Sequence, residues 1–317
     1  MLYSPKPMHV PDGFLSVPVA ISLWVIAIIA VASALRQSSR ALDERRVPLM
    51  GVLAAAIFAG QMLNFAVAGG TSGHLMGAAL ATILLGPAAA TLVLTAVVGV
   101  QALVFQDGGL LALGGNITNM AVIGVAVAFI VYGAVSRIAA EKRWGILAGG
   151  FVAGWASVFV ASLAVAIELA LSGTSPANIA VPAMGGIHAI IGIGEGLITA
   201  GALAFILATR PDLLDAGTRP SAGTRPVWIA GIAVAFGLAV LAPLASVKPD
   251  GLEWVAEQTG FLDRARGPLF SILPDYSVPG VENSAISTIV AGLAGVLLVL
   301  GVAYLVGTAR RRRRTET

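Results

Sequence analysis

Apolar residues run together near 15–35, 47–66, 116–135, 145–171, 184–208, 227–245 and 284–306, and polar residues gather in the short pieces between. A bilayer core about 30 Å thick needs roughly 20 apolar helical residues, so each stretch predicts a membrane-crossing helix. The stretch 74–105 differs, because Gly86-Pro87 interrupts it. Proline removes a helical hydrogen bond and clashes with the preceding turn. That predicts either one long kinked helix or a hairpin of two shorter ones.

Loop charge separates the two readings. With a hairpin there are about nine crossings, and the segments 36–46, 136–144, 209–226 and the tail from 307 share one side, carrying fifteen of the nineteen Lys and Arg residues. With a single helix the split falls to twelve against seven. Cytoplasmic loops are enriched in Lys and Arg, so the hairpin is favoured, with the N-terminus outside and the C-terminus inside. The N-terminal segment and the loops 67–74, 106–115 and 172–183 then share the outer face.

Composition narrows the class. Of 317 residues, 57% are hydrophobic and 11% charged, with mean hydropathy +0.92. These values exclude an ordinary soluble domain and predict an all-α polytopic protein embedded in the lipid bilayer. The pI near 9.6 does not point to nucleic acid, because Arg310 to Arg314 follow an apolar stretch and fit an anchor at the headgroups. Leu2 to Pro7 are too short and polar for a cleavable signal, so the first apolar stretch is expected to stay.

Arg210 to Pro226, with Gly-Thr-Arg-Pro at 217–220 and again at 223–226, predicts a cytoplasmic linker. It divides a seven-helix bundle at 1–209, an N-terminal helix plus a six-helix core, from a two-helix module at 227–317. The module's external loop, 246–283, holds six carboxylates against three basic residues. It either attracts cations weakly or is simply solvated. Within it Asp250 is placed to cap a short helix through Glu253, and Gly260 to stop it.

The chain has no cysteine and three histidines, which leaves nitrogen and oxygen as metal donors. His9, in Met8-His9-Val10-Pro11-Asp12-Gly13, and His74, closing Gly69-Gly70-Thr71-Ser72-Gly73-His74, both fall on outer loops. An imidazole pair there predicts a metal-ion site. If the chain began at Met8, its amine, the amide nitrogen of His9 and His9 Nδ1 would close adjacent chelate rings. A further imidazole would complete a square, the geometry of Ni(II) or Cu(II) rather than tetrahedral zinc. His74 is the candidate, on a glycine loop that lets backbone approach an ion. Seven residues precede Met8, so a start at Met8, or clipping of the leader, is expected if the amine takes part.

Other polar residues sit inside or beside the helices. His188 and Glu195, seven apart, share a helix face and form an intramembrane ionisable pair, for coupling or for bundle structure. Gln61 and Asn64 are placed either to orient the ligand loop or to join helices. Gly51, Ala55 and Ala59 form a small-residue stripe suited to close packing within the bundle or against a partner helix.

Met8-His9-Val10-Pro11-Asp12-Gly13-Phe14-Leu15-Ser16, Gln61-Met62-Leu63-Asn64-Phe65, Ala68-Gly69-Gly70-Thr71-Ser72-Gly73-His74-Leu75, Gln106-Asp107-Gly108-Gly109-Leu110 and His188-Ala189-Ile190-Ile191-Gly192-Ile193-Gly194-Glu195 resemble the signature blocks of the CbiM/NikM family. These are substrate-capturing membrane components of energy-coupling-factor cobalt and nickel importers. Lys248-Pro249-Asp250-Gly251-Leu252-Glu253-Trp254 with Pro274-Asp275-Tyr276 resembles the PDGLE module, related to the small N component of such systems. The resemblance implies that Met8, His9 and His74 bind Co(II) or Ni(II) as transported substrate, with no resident cofactor. The blocks lean to the cobalt branch.

The resemblance also implies a multi-pass protein of the cell membrane, working with a transmembrane coupling (T) subunit and ATP-binding (A) subunits. No Gly-x-x-x-x-Gly-Lys-Ser/Thr phosphate loop occurs in the chain, so ATP hydrolysis belongs to those partners. Two other readings stand beside it. An intramembrane serine protease would use Ser72, within Gly70-Thr71-Ser72-Gly73, as nucleophile and His188 as base. A passive divalent-metal channel would need no ATPase, although no ring of pore-lining carboxylates is evident.

Overall fold

The computed structural model describes residues 8–41, 46–139, 142–214 and 225–315. In chain order it comprises α1 (Val17–Ala41), α2 (Arg46–Gln61), the strands β1 (Phe65–Ala66) and β2 (Ser72–Gly73), α3 (Ala78–Leu85) and α4 (Pro87–Val100). There follow α5 (Leu113–Asn116), α6 (Val125–Ile138), α7 (Arg143–Leu171), α8 (Ala177–Thr209), α9 (Arg225–Leu241), α10 (Gly251–Thr259) and α11 (Ser284–Thr315). The protein is an all-α polytopic membrane protein. Among the described residues six helical segments are long and apolar enough to cross a bilayer, and Val47–Gln61 and Trp228–Leu244 are shorter apolar helices.

Apolar length located the helices but overran some of their ends. The stretch continuing to 66 stops as helix at Gln61, because Phe65 and Ala66 leave it to pair with Gly73 and Ser72 in an antiparallel hairpin. Conversely α8 starts at Ala177 and runs through Pro182, since a 33-residue helix tolerates the loss of one hydrogen bond near its start. Residues 215–224 of the expected linker, the leader before Met8, and the side chains of Arg310 to Arg314 lie outside the described residues.

The break at Gly86-Pro87 is a true end of a helix. Gly86 takes φ 79 and ψ 165, and Pro87 opens α4. Both ends of the 74–105 stretch reach one residue: the His74 ring centroid lies 5.4 Å from that of His9, and Asp107, just beyond the other end, hydrogen-bonds His9 at 2.9 Å. A single straight helix of that length would hold its ends about 45 Å apart. The stretch therefore folds back, but its first arm, α3, has only eight residues, about 12 Å of helix.

Lipid tails are as apolar as leucine, so helices in a bilayer associate through close contact rather than through exclusion of water. Small residues supply that contact here. The Gly51 stripe of α2 faces α11, where a Cβ at Gly51 would stand 3.2 Å from the carbonyl oxygen of Leu300. Gly231 of α9 abuts Val52, and Gly295 of α11 abuts Phe58. The stripe is thus consumed within the chain, and α9 and α11 pack directly on α2.

Candidate metal centre

Three segments converge on His9, and each is fixed by its own polar contacts. The N-terminal segment is held by Asp12, whose carboxylate accepts from Leu110 N at 3.1 Å and Ala112 N at 2.9 Å. Val10 exchanges hydrogen bonds with the Asn116 side chain, 3.0 Å from its nitrogen and 3.1 Å to its oxygen. The approach is possible because Gly109 carries no side chain; a Cβ there would collide with Asp12.

The second segment delivers Asp107. After α4 the backbone widens into a π-helical turn, Gln101–Phe105, that ends at Gln106 in the left-handed region with φ 57. Such turns recur at functional sites because the extra residue re-aims side chains. Asp107 Oδ1 accepts from His9 Nδ1 at 2.9 Å, and both side chains are buried. That hydrogen bond consumes Nδ1, and His9 Nε2 is buried without a partner.

His74 arrives from the third segment, just after β2. Its Nδ1 donates to the Leu75 carbonyl at 3.0 Å, and its Nε2 meets only the Met8 carbonyl, at 3.4 Å. Both nitrogens face carbonyls, which only accept, and a neutral ring has one N–H to give; the shorter contact takes it, which places the hydrogen on Nδ1 and leaves the lone pair on Nε2. Downstream, Gln61 Nε2 donates to Met76 O at 3.1 Å. Glu195, from α8, accepts from Met76 N at 2.7 Å and Gly77 N at 2.9 Å.

The electrostatics follow the geometry. Burial alone would depress His9, but the Asp107 carboxylate beside it and the hydrogen bond to it leave its pKa raised above 6.5. Burial and the neighbouring His9 lower His74. Burial opposes the charge of Asp107, but His9 and the hydrogen bonds it receives hold its pKa below the usual carboxylate value. Both imidazoles line a cavity of about 110 Å³ that also meets Met8, His188 and Asp250. Burial pushes Asp250 up to about 8.

Two family models match the chain in succession. Residues 9–213 match the CbiM family, described as the cobalt uptake substrate-specific transmembrane region, and residues 225–312 match the PDGLE domain. The chain belongs to the CbiM family. Like its full-length relatives it is a fusion with a PDGLE domain: it is 37% identical over 300 residues to an Archaeoglobus fulgidus protein named a fused nickel transport protein NikMN, covering 94% of this chain and 97% of that one. A Rhodobacter capsulatus fused nickel transport protein NikMN is 33% identical over 351 residues, covering 97% and 99%. The crystal structure of a truncated transition metal transporter superposes with TM-score 0.57 at 32% identity, covering 63% of this chain and 98% of that one.

Within this CbiM-type bundle the other sequence candidates have distinct places. Gln61 and Glu195 grip the main chain beyond His74, whereas the Asn64 side-chain oxygen is buried without a partner, and only the Asn64 carbonyl is used, by Ser246 N at 2.8 Å. His188 faces the cavity, with Nδ1 donating to Met184 O at 2.8 Å, and it is not bonded to Glu195. Ser72 Oγ donates to the carbonyls of Lys248 and Pro249, at 2.9 and 3.2 Å. A nucleophilic serine needs a base within hydrogen-bond reach, and here neither Ser72 nor His188 is directed at the other. The protein is a transport protein, and the protease reading fails.

The residues that sequence reasoning missed are Asp107, Asp12, Asn116 and Tyr276. Asp107, Asp12 and Tyr276 lie within the signature blocks, but a block gives a residue no partner, and Asn116 lies outside them. Among the described residues no three His, Asp or Glu side chains are disposed to hold an ion by themselves. An ion held between the imidazoles would therefore need main-chain donors, or ligands of its own, to fill its coordination sphere.

Proposed function

We propose that this chain is the substrate-binding membrane component of an energy-coupling-factor importer, and that it captures Ni(II), or Co(II), at the outer face between His9 and His74. Family membership carries the transport role. The relatives aligned along the whole chain are named for nickel, which turns the balance from the cobalt branch toward nickel. The reading of the site rests on one observation: two imidazoles 5.4 Å apart, each with Nδ1 engaged and Nε2 facing no hydrogen-bond donor. Paired lone pairs without a donor are an arrangement that a cation relieves.

Met8 belongs to the same proposal through its main chain. In the chain as given its nitrogen is in a peptide bond to Pro7, a far weaker donor than an amine. A chelate through His9 Nδ1 would also require the ring to leave Asp107. Measuring bound metal in the full chain, in a form starting at Met8, and in His9→Ala and His74→Ala decides the set. One ion per chain, lost in both histidine variants, is the expected result. Retention in either variant overturns it, and a gain confined to the form starting at Met8 assigns the amine.

The proposal extends to topology and partners. The loops flanking the folded-back 74–105 stretch share the outer side, which gives the strongly asymmetric charge split, with the N-terminus outside and the C-terminus inside. In this reading α3 and α4 are the two arms of one hairpin that returns to the outer side, α3 being the short one. Residues 1–209 form the capture domain and 227–317 the PDGLE module, joined by a cytoplasmic linker at 210–226. A coupling T subunit and ATP-binding A subunits supply the energy. Uptake that persists without those subunits would favour the passive channel.

A further inference from the structure

Tyr276 links the PDGLE domain to the imidazole pair through Asp107. Tyr276, buried in the 246–283 loop, donates its hydroxyl hydrogen to Asp107 Oδ2 at 2.6 Å, while Asp107 Oδ1 holds His9 Nδ1. The phenol oxygen in turn accepts from Gln101 Nε2 at 3.1 Å. The direction of this chain is fixed. A tyrosine has one hydroxyl hydrogen and an ionised carboxylate has none, so the hydrogen goes to Asp107 and the Gln101 amide supplies the other bond. Asp107, committed from both sides as an acceptor, can serve His9 only as an acceptor from Nδ1–H, which leaves Nε2 as the nitrogen with a lone pair.

The backbone and the rings hold Tyr276 in this position. Asp275 and Tyr276 are consecutive non-glycine residues in the left-handed region, at φ 47 and φ 54, a conformation L-residues resist and proteins retain where geometry at a site demands it. The phenol ring stacks on Phe105 with centroids 4.8 Å apart and planes 17° from parallel. Phe105 closes the same π-helical turn that carries Gln101 and aims Asp107.

We infer that Tyr276 is a positioning residue for the imported ion: acting through Asp107, it sets the ring orientation and tautomer of His9, so that the C-terminal domain tunes coordination in the capture domain. Carboxylates that orient a ligating imidazole, and the groups that hold them, typically change metal affinity 10- to 100-fold when lost. The inference rests on His74 and the Nε2 of His9 holding the ion, since a chelate through Nδ1 would break the bond to Asp107.

The test is Tyr276→Phe in the full chain, which keeps the ring on Phe105 and removes only the hydroxyl. Co(II) is the probe, its affinity measured by competition and its ligand field by visible absorption, with thermal stability recorded alongside. The expected result is a roughly tenfold loss of Co(II) affinity and a shifted absorption band, with the melting temperature close to that of the parent. Asp107→Asn should show the same change, and the double variant no further loss, because the two act in series. Unchanged affinity and spectrum overturn the inference. So does an affinity loss that merely tracks loss of folded protein, the bound spectrum being that of the parent. His74→Ala separates the two levels: if it still binds Co(II), the site assignment itself has failed, whereas loss of binding there beside an indifferent Tyr276→Phe rejects the tyrosine alone.

Discussion

The Glu195 carboxylate, deep in α8, accepts a hydrogen bond from the Met76 main-chain nitrogen at 2.7 Å, two residues beyond His74. A second bond from Gly77 makes it the cap of α3, a helix whose own N-cap residue offers no side chain. This intramembrane acid is thereby a clamp on the main chain after His74 rather than the partner of His188.

Glu195→Ala should therefore leave two buried N–H groups without an acceptor. A lost charge-assisted hydrogen bond costs about 1.5–3 kcal/mol, so thermal unfolding should come at lower temperature, and ion affinity should fall several-fold as the His74 loop loosens. Calorimetry together with metal titration checks both. Unchanged melting and binding would show that the loop is held elsewhere.

Ion capture should weaken in acid, in two stages. A proton on Nε2 occupies the lone pair that the ion needs. His9 has a pKa raised above 6.5, so its proton competes first, beginning on the alkaline side of an ordinary histidine. His74, lowered below 6.5, competes only in more acidic solution. The affinity measured from about pH 8.5 to about pH 5 should fall with a slope near one proton per ion and then steepen. In Asp107→Asn the first stage should move to lower pH, since the charge that raised His9 is gone. A flat profile would count against imidazole ligation.

Gly109→Ala should be costly out of proportion to one methyl group. Its Cβ would strike Asp12, the residue that ties the His9 segment to the 106–112 loop. Overpacking of this kind costs about 1–3 kcal/mol, and here the strain falls on the segment that carries His9. Equilibrium dialysis should show a roughly tenfold loss of metal affinity with the bundle still folded. Parent-like binding would mean that the segment docks without this contact.

Because the chain has no cysteine, single cysteines report sidedness cleanly. Leu269→Cys, in the exposed outer part of the 246–283 loop, should react with a membrane-impermeant maleimide on intact cells. Trp144→Cys, exposed at the start of α7, should react only after permeabilisation. The reverse pattern would invert the proposed topology.

Much of this was legible along the chain. Runs of apolar residues specify membrane helices because the bilayer leaves the backbone no partner but itself. The Gly86-Pro87 break and the capped helix α10, where Asp250 Oδ1 accepts from Glu253 N at 2.8 Å and Gly260 ends the helix at φ 77, are local effects of one or two residues. The scarcity of histidine and the lack of cysteine likewise limit the donors whatever the fold.

The surroundings of those donors were decided only by tertiary structure. Asp107 lies 98 positions from His9 and 169 from Tyr276, and nothing in spacing or periodicity links residues so far apart. The turn that joins them depends on a π-helical widening and on left-handed residues whose side chains do not announce them. Sequence determines which segments enter the membrane because each segment meets the bilayer by itself. A polar network is settled only when the segments meet each other, since a buried donor or acceptor takes whichever partner the packing brings within reach.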